Sequence, residues 1–445
     1  MTFGDARLVL AAVAGIALAI ILIVRGRLHP FVALLCGAFL IGPLAGLSSA
    51  DTVKAVEKGA GDILGSTGLV VALGMALGAM LQLSDGAKGL ARAMIGAADA
   101  PRALWMSMLV GLLIGLPLFF ETGLVLLLPI IASAATAGPK GSDLTRLRLM
   151  LSAVAGLSVV HALVPPHPGP MVAISTLNAN LGRTLALGLL VAIPTAVLAG
   201  PVFARTAVRA AALTEALPAP APLSEGVPVW RALLAVLLPV LLIVAGQVAA
   251  LLPARVAAHL SLLTVASNPV LALLIACLAA LPLLFGSRLR SSELQAAIWL
   301  ETMRPVGTVL LAIGAGGALK QVLISTGFAD LLARIATAAS LSPILISWSI
   351  AVAIRLATGS ATVATITAAG VMSKAVAASG VAPEWAVLAI GAGSLFFSHV
   401  NDPGFWLVKS YLGIDTATTF RTWSVVETVV SVMGLVFVVL LSHLL

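Results

Sequence analysis

Long apolar segments alternate with short polar ones along the whole chain of 445 residues. Most of the apolar segments are about twenty residues long, which is the length that a helix needs to cross the hydrocarbon core of a bilayer. They lack the strict alternation that is typical of outer-membrane strands. The pattern predicts an all-α polytopic membrane protein, with segments at about 7–24, 30–50, 62–83, 103–137, 149–180, 185–204, 231–251, 260–285, 306–325, 343–373, 385–413 and 422–445.

Two of these segments, 103–137 and 343–373, exceed thirty residues and are too long for one crossing. Basic residues flank the first segment on both sides, which predicts a re-entrant hairpin that opens to the cytoplasm. Each half of the chain then contains about five spans plus one re-entrant hairpin, and the two halves have opposite orientations. We therefore expect ten spans in an inverted repeat with broken helices at the midplane, an architecture found in many secondary transporters.

A segment rich in Pro, Ala and charged residues separates the two halves. The sequence predicts a first repeat at 1–204, a cytoplasmic linker at 205–230 and a second repeat at 231–445. With the N-terminus outside, this threading puts most of the 25 Lys and Arg residues on the cytoplasmic side. We expect a multi-pass protein of the bacterial inner membrane with both termini in the periplasm.

The composition supports a lipid environment and argues against several other classes of protein. Hydrophobic residues make up 60% of the chain and charged residues 9%, against about 25% charged residues in soluble domains. The formal net charge of +8 comes without a basic patch interleaved with aromatic residues, so no nucleic-acid partner is expected. The chain has no HExxH, GxSxG or Walker motif and no Cys-His cluster, so we expect neither an enzyme nor a metal or cofactor site.

Polar and helix-breaking residues interrupt both halves at corresponding places. The first half has a hairpin tip GLPLFFETG (115–123) followed by PPHPGP (165–170), and the second has RLATGSATVAT (355–365) followed by SHVNDPGFW (398–406). Broken helices expose backbone groups that lipid cannot satisfy but a buried solute can. Because helix N-termini attract anions, the matched spacing predicts four helix ends that converge on an anion-binding site.

Two acids in these interruptions are candidate proton carriers, because a carboxylate at membrane depth is costly when it is unpaired. Glu121 lies in the first tip, where the alternative role is a hydrogen bond to exposed backbone. Asp402 lies in the second broken span, where the alternative is an ordinary Asn-Asp-Pro-Gly turn. Glu427, in the last segment, has no assigned role, since pairing with Arg421 six residues earlier fits a helix poorly.

Other polar side chains near the interruptions are candidate substrate contacts. His167 and His399 can titrate near neutrality or pair with an acid, and Asn401 offers both a donor and an acceptor to substrate hydroxyls. His161 precedes the first break, where a structural bond to a backbone carbonyl is favoured over a role in the site. Arg355 precedes the second tip and either pairs with a substrate carboxylate or a core acid, or anchors the hairpin.

At these motifs the chain closely resembles the gluconate:proton symporter family of bacterial permeases, within the ion-transporter superfamily. The matching stretches are GLPLFFETGLVLLLP, HALVPPHPGPMVAI, RLATGSATVATITAAG and GSLFFSHVNDPGFWLVKSYLG followed by TFRTWSVVETVVSVMGL. The resemblance implies proton-coupled uptake of a sugar acid by a transport domain that moves as an elevator against a dimeric scaffold. Pro403 is a departure, since many relatives have Ser there, and it bears on substrate choice.

The resemblance implies site roles for eight residues of this chain: Glu121, Thr122, His167, Gly169, Ser360, Thr362, Asn401 and Asp402. We therefore expect a homodimer in the bilayer that imports a small organic anion, a sugar acid such as gluconate, by proton symport. The alternative within transport is a permease for idonate, glycerate or D-serine, or a sodium-coupled one. The alternatives outside it are a membrane sensor and a channel.

Overall fold

The computed structural model describes residues 3–96, 100–118, 120, 123–124, 127–128, 131, 143–206, 227–250, 260–328, 330–331, 334, 342–399 and 402–445. Within these ranges the regular secondary structure is helical, and the predicted all-α polytopic fold class is confirmed. Residues 207–226 of the predicted linker and the tip residues Glu121 and Thr122 lie outside the described residues.

The first half of the described chain contains eight helices. They are α1 (Phe3–Val24), α2 (Pro30–Ala45), α3 (Ser49–Leu83), α4 (Gly86–Gly96), α5 (Ala100–Gly115), α6 (Asp143–Leu163), α7 (Pro168–Leu177) and α8 (Leu181–Thr206). A π-helical turn at Leu198–Val202 interrupts the regular hydrogen bonding of α8.

The second half of the described chain contains nine helices. They are α9 (Val229–Ala250), α10 (Ser261–Ala266), α11 (Pro269–Phe285), α12 (Ser292–Ser325), α13 (Pro343–Thr358), α14 (Ala361–Ser379), α15 (Pro383–Gly393), α16 (Pro403–Leu412) and α17 (Thr416–Leu444). A π-helical turn at Phe420–Ser424 lies in the first part of α17.

Helix lengths recur in the same order in the two halves. The helices α1 and α9 have 22 residues each, α5 and α13 have 16 each, and α7 and α16 have 10 each. The long helices α3 and α12 have 35 and 34 residues. The opposite orientation of the two halves stays a prediction.

The long helices α3 and α12 extend well beyond the apolar segments 62–83 and 306–325 that the pattern predicts. Each begins after a serine, Ser48 or Ser291, whose hydroxyl accepts a hydrogen bond from the amide three residues later, at 3.0 and 3.2 Å. Such a cap satisfies one of the free N–H groups of a helix start. The polar first part of each helix is therefore helical although it is not apolar, which hydropathy alone does not detect.

The helices α3 and α12 pack along one another as the central pair of the fold. Gly59 and Gly317 allow the close approach, because a Cβ atom added to either would overlap the backbone carbonyl of the other. Backbones that approach this closely are typical of helix pairs in membranes, where small residues line the contact.

Proline and glycine define the two broken spans. Pro168 begins α7 and Pro403 begins α16, in the first helical turn, where the missing N–H of proline costs nothing. Both short helices end at a residue in the left-handed region, Asn178 with φ of 55° and Gly413 with φ of 58°. The predicted segment 260–285 is likewise two helices, α10 and α11.

Eight helical stretches of the described chain are long and apolar enough to cross a membrane, and a ninth is added if the two parts of α3, bent by 45°, count as one span. Two of the ten predicted spans are missing from this count, because α2 has only 16 residues and α15–α16 is interrupted. One stretch is counted in addition, because α14, an arm of the second hairpin, is long enough. The chain is a multi-pass integral membrane protein.

Away from the helix interruptions, two ion pairs among the described residues join segments that are distant in sequence. Arg334 contacts Asp5 at 3.2 Å, and Lys374 contacts Asp330 at 3.3 Å. Each pair joins residues that the predicted threading puts on the same side of the membrane.

Candidate functional site

The first broken span contacts the C-terminal end of α5, the first helix of the predicted first hairpin. His167, at the residue before α7, is 4% exposed, and its Nε2 lies 2.6 Å from the carbonyl oxygen of Gly115, the last residue of α5. Because a carbonyl can only accept, Nε2 donates this hydrogen bond. In the neutral ring Nδ1 is then an acceptor.

The sequence Pro168-Gly169-Pro170 leaves a single backbone N–H in the first three residues of α7, that of Gly169. The prolines have no N–H, so Gly169 carries the first amide proton of α7, and His167 makes no side-chain cap at this helix start. A Cβ atom added at Gly169 would lie 3.5 Å from Oγ1 of Thr365 on α14. The first broken span therefore packs directly against the second hairpin.

The second hairpin consists of α13 and α14, which pack together and meet at Gly359 and Ser360. Gly359 has a φ of 71°, a left-handed conformation that favours glycine. The Ser360 hydroxyl caps α14 by accepting a hydrogen bond from the amide of Val363 at 3.3 Å. The half-buried Thr362 lies in the first turn of α14.

Arg355 and Asp402 form a buried ion pair between the second hairpin and the second broken span. They are 4% and 8% exposed. Arg355 Nη1 also donates to the carbonyl oxygen of Gly359 at 2.7 Å. The Asp402 carboxylate also accepts from the Ser398 hydroxyl and, at 2.7 Å, from the amide of Gly404. Asp402 thus accepts hydrogen bonds from one cation and two dipolar donors.

The two broken spans use different chemistry at equivalent positions. His167 and Asp402 each occupy the residue before a Pro-Gly that begins a ten-residue helix. The Asp402 side chain caps its own helix, whereas the His167 side chain reaches across to another helix. The N-terminus of α7 is therefore the more open of the two to an anion.

Aromatic contacts join the two halves of the site. Phe120, in the first hairpin, stacks on Trp423 of α17 with ring centroids 5.8 Å apart, and its ring lies 5.8 Å from that of His161. Trp423 Nε1 donates to Ser398 Oγ at 2.9 Å. The rings of His161 and His167 meet edge to face at 5.1 Å. The described residues of all four interruptions thus form one connected cluster.

Three of the residues named from the sequence, Glu121, Thr122 and Asn401, lie outside the described residues. His399 is half-buried, and its Nε2 lies 3.0 Å from the carbonyl oxygen of Leu356 on α13. It therefore borders the cluster on the side of the second hairpin.

A small cavity of about 20 Å³ adjoins His167. It is lined by α3, by the first hairpin tip and by the broken span, with Val71, Gly74, Met75, Leu116, Pro117, Pro166 and Pro168 among its walls. This volume holds about one water molecule.

Sequence reasoning missed three residues of this cluster. Ser398 donates a hydrogen bond to Asp402, and Trp423 in turn donates to Ser398. Ser158 on α6 donates to Glu427 at 2.5 Å. Ser398 and Trp423 lie inside the motifs SHVNDPGFW and TFRTWS, so motif membership was their only signal. Nothing in the local sequence around Ser158 points to a partner 269 residues away.

Comparisons with known proteins agree with the motifs. The family model described as GntP family permease matches residues 7–444. A gluconate permease of Pseudomonas aeruginosa is 41% identical over 98% of each chain. A high-affinity gluconate transporter of Escherichia coli is 37% identical over 98% of this chain and 99% of its own length. The Gnt-II system L-idonate transporter of the same species is 35% identical over 97% and 98%.

The solved structures include a similar fold. The crystal structure of the YdaH transporter of Alcanivorax borkumensis, reported to have an unusual topology, matches with a TM-score of 0.67 and 17% identity over 94% of this chain and 98% of that one. At that identity the likeness shows the fold alone. The sequence matches, by contrast, extend over nearly the whole chain and show a membrane permease, not an enzyme. The chain belongs to the GntP permease family.

Proposed function

We propose that this protein is a secondary active transporter that imports a sugar acid, gluconate first among them, by proton symport. Support for the substrate class comes from the relatives, two of which are named for gluconate and one for L-idonate. Support for the mechanism comes from one observation: a buried Arg355–Asp402 ion pair at the meeting point of the helix interruptions.

The ion pair provides a way to couple the two solutes. Arg355 is the cation that a substrate carboxylate needs, and in the structure Asp402 is paired with it. A proton that binds Asp402 neutralises this competitor, so the guanidinium becomes available to the incoming carboxylate. Loss of the proton on the cytoplasmic side lets Asp402 recover Arg355 and displaces the substrate. Neither solute then crosses alone.

The helix ends supply the remaining contacts in this proposal. The N-termini of α7 and α14 stabilise the anion, with the Gly169 amide as the donor that the flanking prolines leave. The hydroxyls of Ser360 and Thr362 and Nδ1 of His167 bind substrate hydroxyls. Thr122 and Asn401 take the same role through the family resemblance.

The remaining parts of the proposal concern the membrane. We propose that the halves 1–204 and 231–445 form an inverted repeat, that both termini lie in the periplasm of a bacterial inner membrane, and that the protein is a homodimer. Light scattering of the purified protein in detergent measures the oligomeric state. Accessibility of single cysteines added at the termini to an impermeant reagent tests the sidedness.

The central experiment is uptake of labelled gluconate by proteoliposomes under an imposed pH gradient. We expect accumulation that a protonophore abolishes and that does not require sodium. Competition by unlabelled idonate, glycerate and D-serine ranks the substrates. Accumulation that survives the protonophore but is lost without sodium would overturn proton coupling, and flux that never exceeds equilibrium would indicate a channel.

A further inference from the structure

Glu427 lies beside the cluster but takes no part in the exchange proposed above. It is on α17 and is 1% exposed, and its Oε1 accepts a hydrogen bond from the Ser158 hydroxyl at 2.5 Å. It is within electrostatic range of both Arg355 and Asp402. An ionisable side chain that is buried in a membrane-spanning helix, within electrostatic range of the arginine proposed to bind the substrate, is by default a functional group.

The two acids near Arg355 have different surroundings. Asp402 accepts from a guanidinium, a hydroxyl and a backbone amide, which together compensate a negative charge. Glu427 has the neutral hydroxyl of Ser158 as its hydrogen-bond partner. A carboxyl group with such a partner is buried at lowest cost as the neutral acid. The surroundings of Asp402 therefore compensate a negative charge, whereas the hydroxyl partner of Glu427 does not.

The charged groups that face Glu427 come from a few elements. The helix α13 supplies Arg355 and the second broken span supplies Asp402, while α6 supplies the neutral hydroxyl of Ser158. The helices α8 and α15 also pack on α17, and their described spans carry the ionisable residues Arg183, Arg205 and Glu384. None of these three is among the groups that act on Glu427 electrostatically.

Glu384 lies far from Glu427 because α15 and the segment after it run antiparallel to α17. Ala392, near the end of α15, packs against Gly434, and Ser398 bonds Ser424 nearer the start of α17. The two segments are therefore antiparallel, and Glu384, at the start of α15, lies toward the opposite end of α17 from Glu427.

We propose that Glu427 is a second proton-binding site of the transport cycle, so that two protons accompany each sugar-acid anion. This inference rests on the proposed function. In the loaded state Arg355 pairs with the substrate, and both Asp402 and Glu427 carry protons, so the buried charges balance. After substrate release both acids lose their protons to the cytoplasm, and Arg355 faces two carboxylates during the return.

The return step then carries one net negative charge outward, and each cycle moves one net positive charge inward. An inside-negative potential drives such a cycle. With one proton per monovalent anion the cycle would be electroneutral and would not respond to potential. The membrane potential therefore distinguishes the two cases.

The test uses the full-length protein in proteoliposomes with labelled gluconate. At a fixed pH gradient, a potassium diffusion potential of about 100 mV, negative inside, is expected to raise the equilibrium accumulation of the wild type about 50-fold, because one charge is worth a factor of that size. For Glu427→Gln we expect less than a twofold response to the potential, while accumulation driven by the pH gradient persists.

Three further variants separate a proton site from a structural contact. Glu384→Gln neutralises a buried acid away from the cluster and is expected to respond to potential like the wild type. Ser158→Ala removes the partner of Glu427 but keeps the acid, so it should also keep the response; loss of the response in Ser158→Ala would identify a structural cross-link. If Glu121→Gln loses the response and Glu427→Gln keeps it, the second proton binds elsewhere and the inference is wrong.

A fold check accompanies each variant, since counterflow of labelled against unlabelled gluconate requires a folded carrier but no net proton movement. If Glu427→Gln does not fold, Glu427→Asp retains an acid and is expected to retain the response. A wild type that accumulates gluconate with the pH gradient but ignores the potential overturns the inference alone. A wild type that accumulates none overturns the proposed function.

Discussion

The guanidinium of Arg355 and the carboxylate of Asp402, 47 residues apart in the chain, form an ion pair that is buried where the second hairpin meets the second broken span. Removing both charges of a buried pair is often nearly neutral for stability, whereas removing one leaves the other uncompensated. The pair therefore makes stability and transport respond differently to substitution.

We expect Arg355→Gln and Asp402→Asn each to lower the free energy of unfolding by about 3–5 kcal/mol, because each strands a buried charge. The double variant should recover much of this loss, since no unpaired charge remains. Thermal unfolding in detergent measures the three effects. Transport should be lost in all three proteins, because the guanidinium or its switch is missing.

A double variant that is no more stable than the less stable single variant would show that the unpaired charge is not the cause of the lost stability. A double variant that still accumulates gluconate would remove Arg355 and Asp402 from the coupling mechanism.

The four interruptions could be predicted from the sequence because their cause is local. Pro168 and Pro403 lack a donor, Gly359 permits a left-handed turn, and polar residues in apolar segments are costly unless they are used. These properties belong to single residues and their neighbours. The structure accordingly breaks the helices at the predicted motifs.

The partners of the buried charges were harder to predict, because they depend on which helices pack together. From the sequence, Arg355 could pair with a substrate, pair with a core acid or anchor the hairpin. In the structure it forms an ion pair with Asp402 and donates a hydrogen bond to the carbonyl of Gly359. Glu427 had only Arg421 as a nearby candidate, yet its partner is Ser158 on α6. Contacts between residues so distant carry no local signal.

The hydrogen bond from His167 to the Gly115 carbonyl leads to a prediction for the first hairpin. His167→Ala leaves a buried acceptor unpaired and should cost about 1–3 kcal/mol of stability. Uptake of gluconate should fall by more than tenfold. His167→Gln keeps an N–H donor and should retain more of both. Unfolding temperature and initial uptake rate are the measurements.

His443, an exposed residue near the end of α17, serves as the control. His443→Ala should match the wild type in both measurements. If His167→Ala also matches it, the contact with Gly115 contributes little and the histidine is not part of the site.

Asp415 makes the stability of the last helix depend on pH. Its carboxylate accepts a hydrogen bond from the Thr418 amide at 2.6 Å, and this bond holds the pKa of Asp415 below its ordinary value of 3.8. The folded state therefore binds this proton less readily than the unfolded state. The stabilisation by the cap is present above the unfolded pKa and is lost as the pH falls through the lower folded pKa.

We expect Asp415→Ala to be less stable than the wild type at pH 7, with a difference that shrinks as the pH falls below about 4. Asp415→Asn keeps a capping oxygen and should show a smaller, pH-independent loss. Thermal unfolding at a series of pH values follows the difference. A difference between wild type and Asp415→Ala that stays constant down to pH 3 would exclude this cap as its source.

Gly59 and Gly61, two residues apart on α3, provide a matched pair for testing the central helix packing. A Cβ atom at Gly59 would overlap the Gly317 carbonyl of α12, whereas a Cβ atom at Gly61 would meet nothing within 4 Å. Gly59→Ala should therefore cost about 1–3 kcal/mol, since the two backbones must separate. Gly61→Ala should stabilise the helix by up to about 1 kcal/mol, because alanine is the better helix former.

Thermal unfolding of both variants in the same detergent measures the contrast. Two alanine variants of equal stability would mean that α3 and α12 do not approach as closely as Gly59 and Gly317 permit. The two changes in stability are expected to have opposite signs because the surroundings of the two glycines differ. Inside the helix contact the alanine side chain lacks space, whereas outside it alanine only reduces the conformational freedom of the unfolded chain.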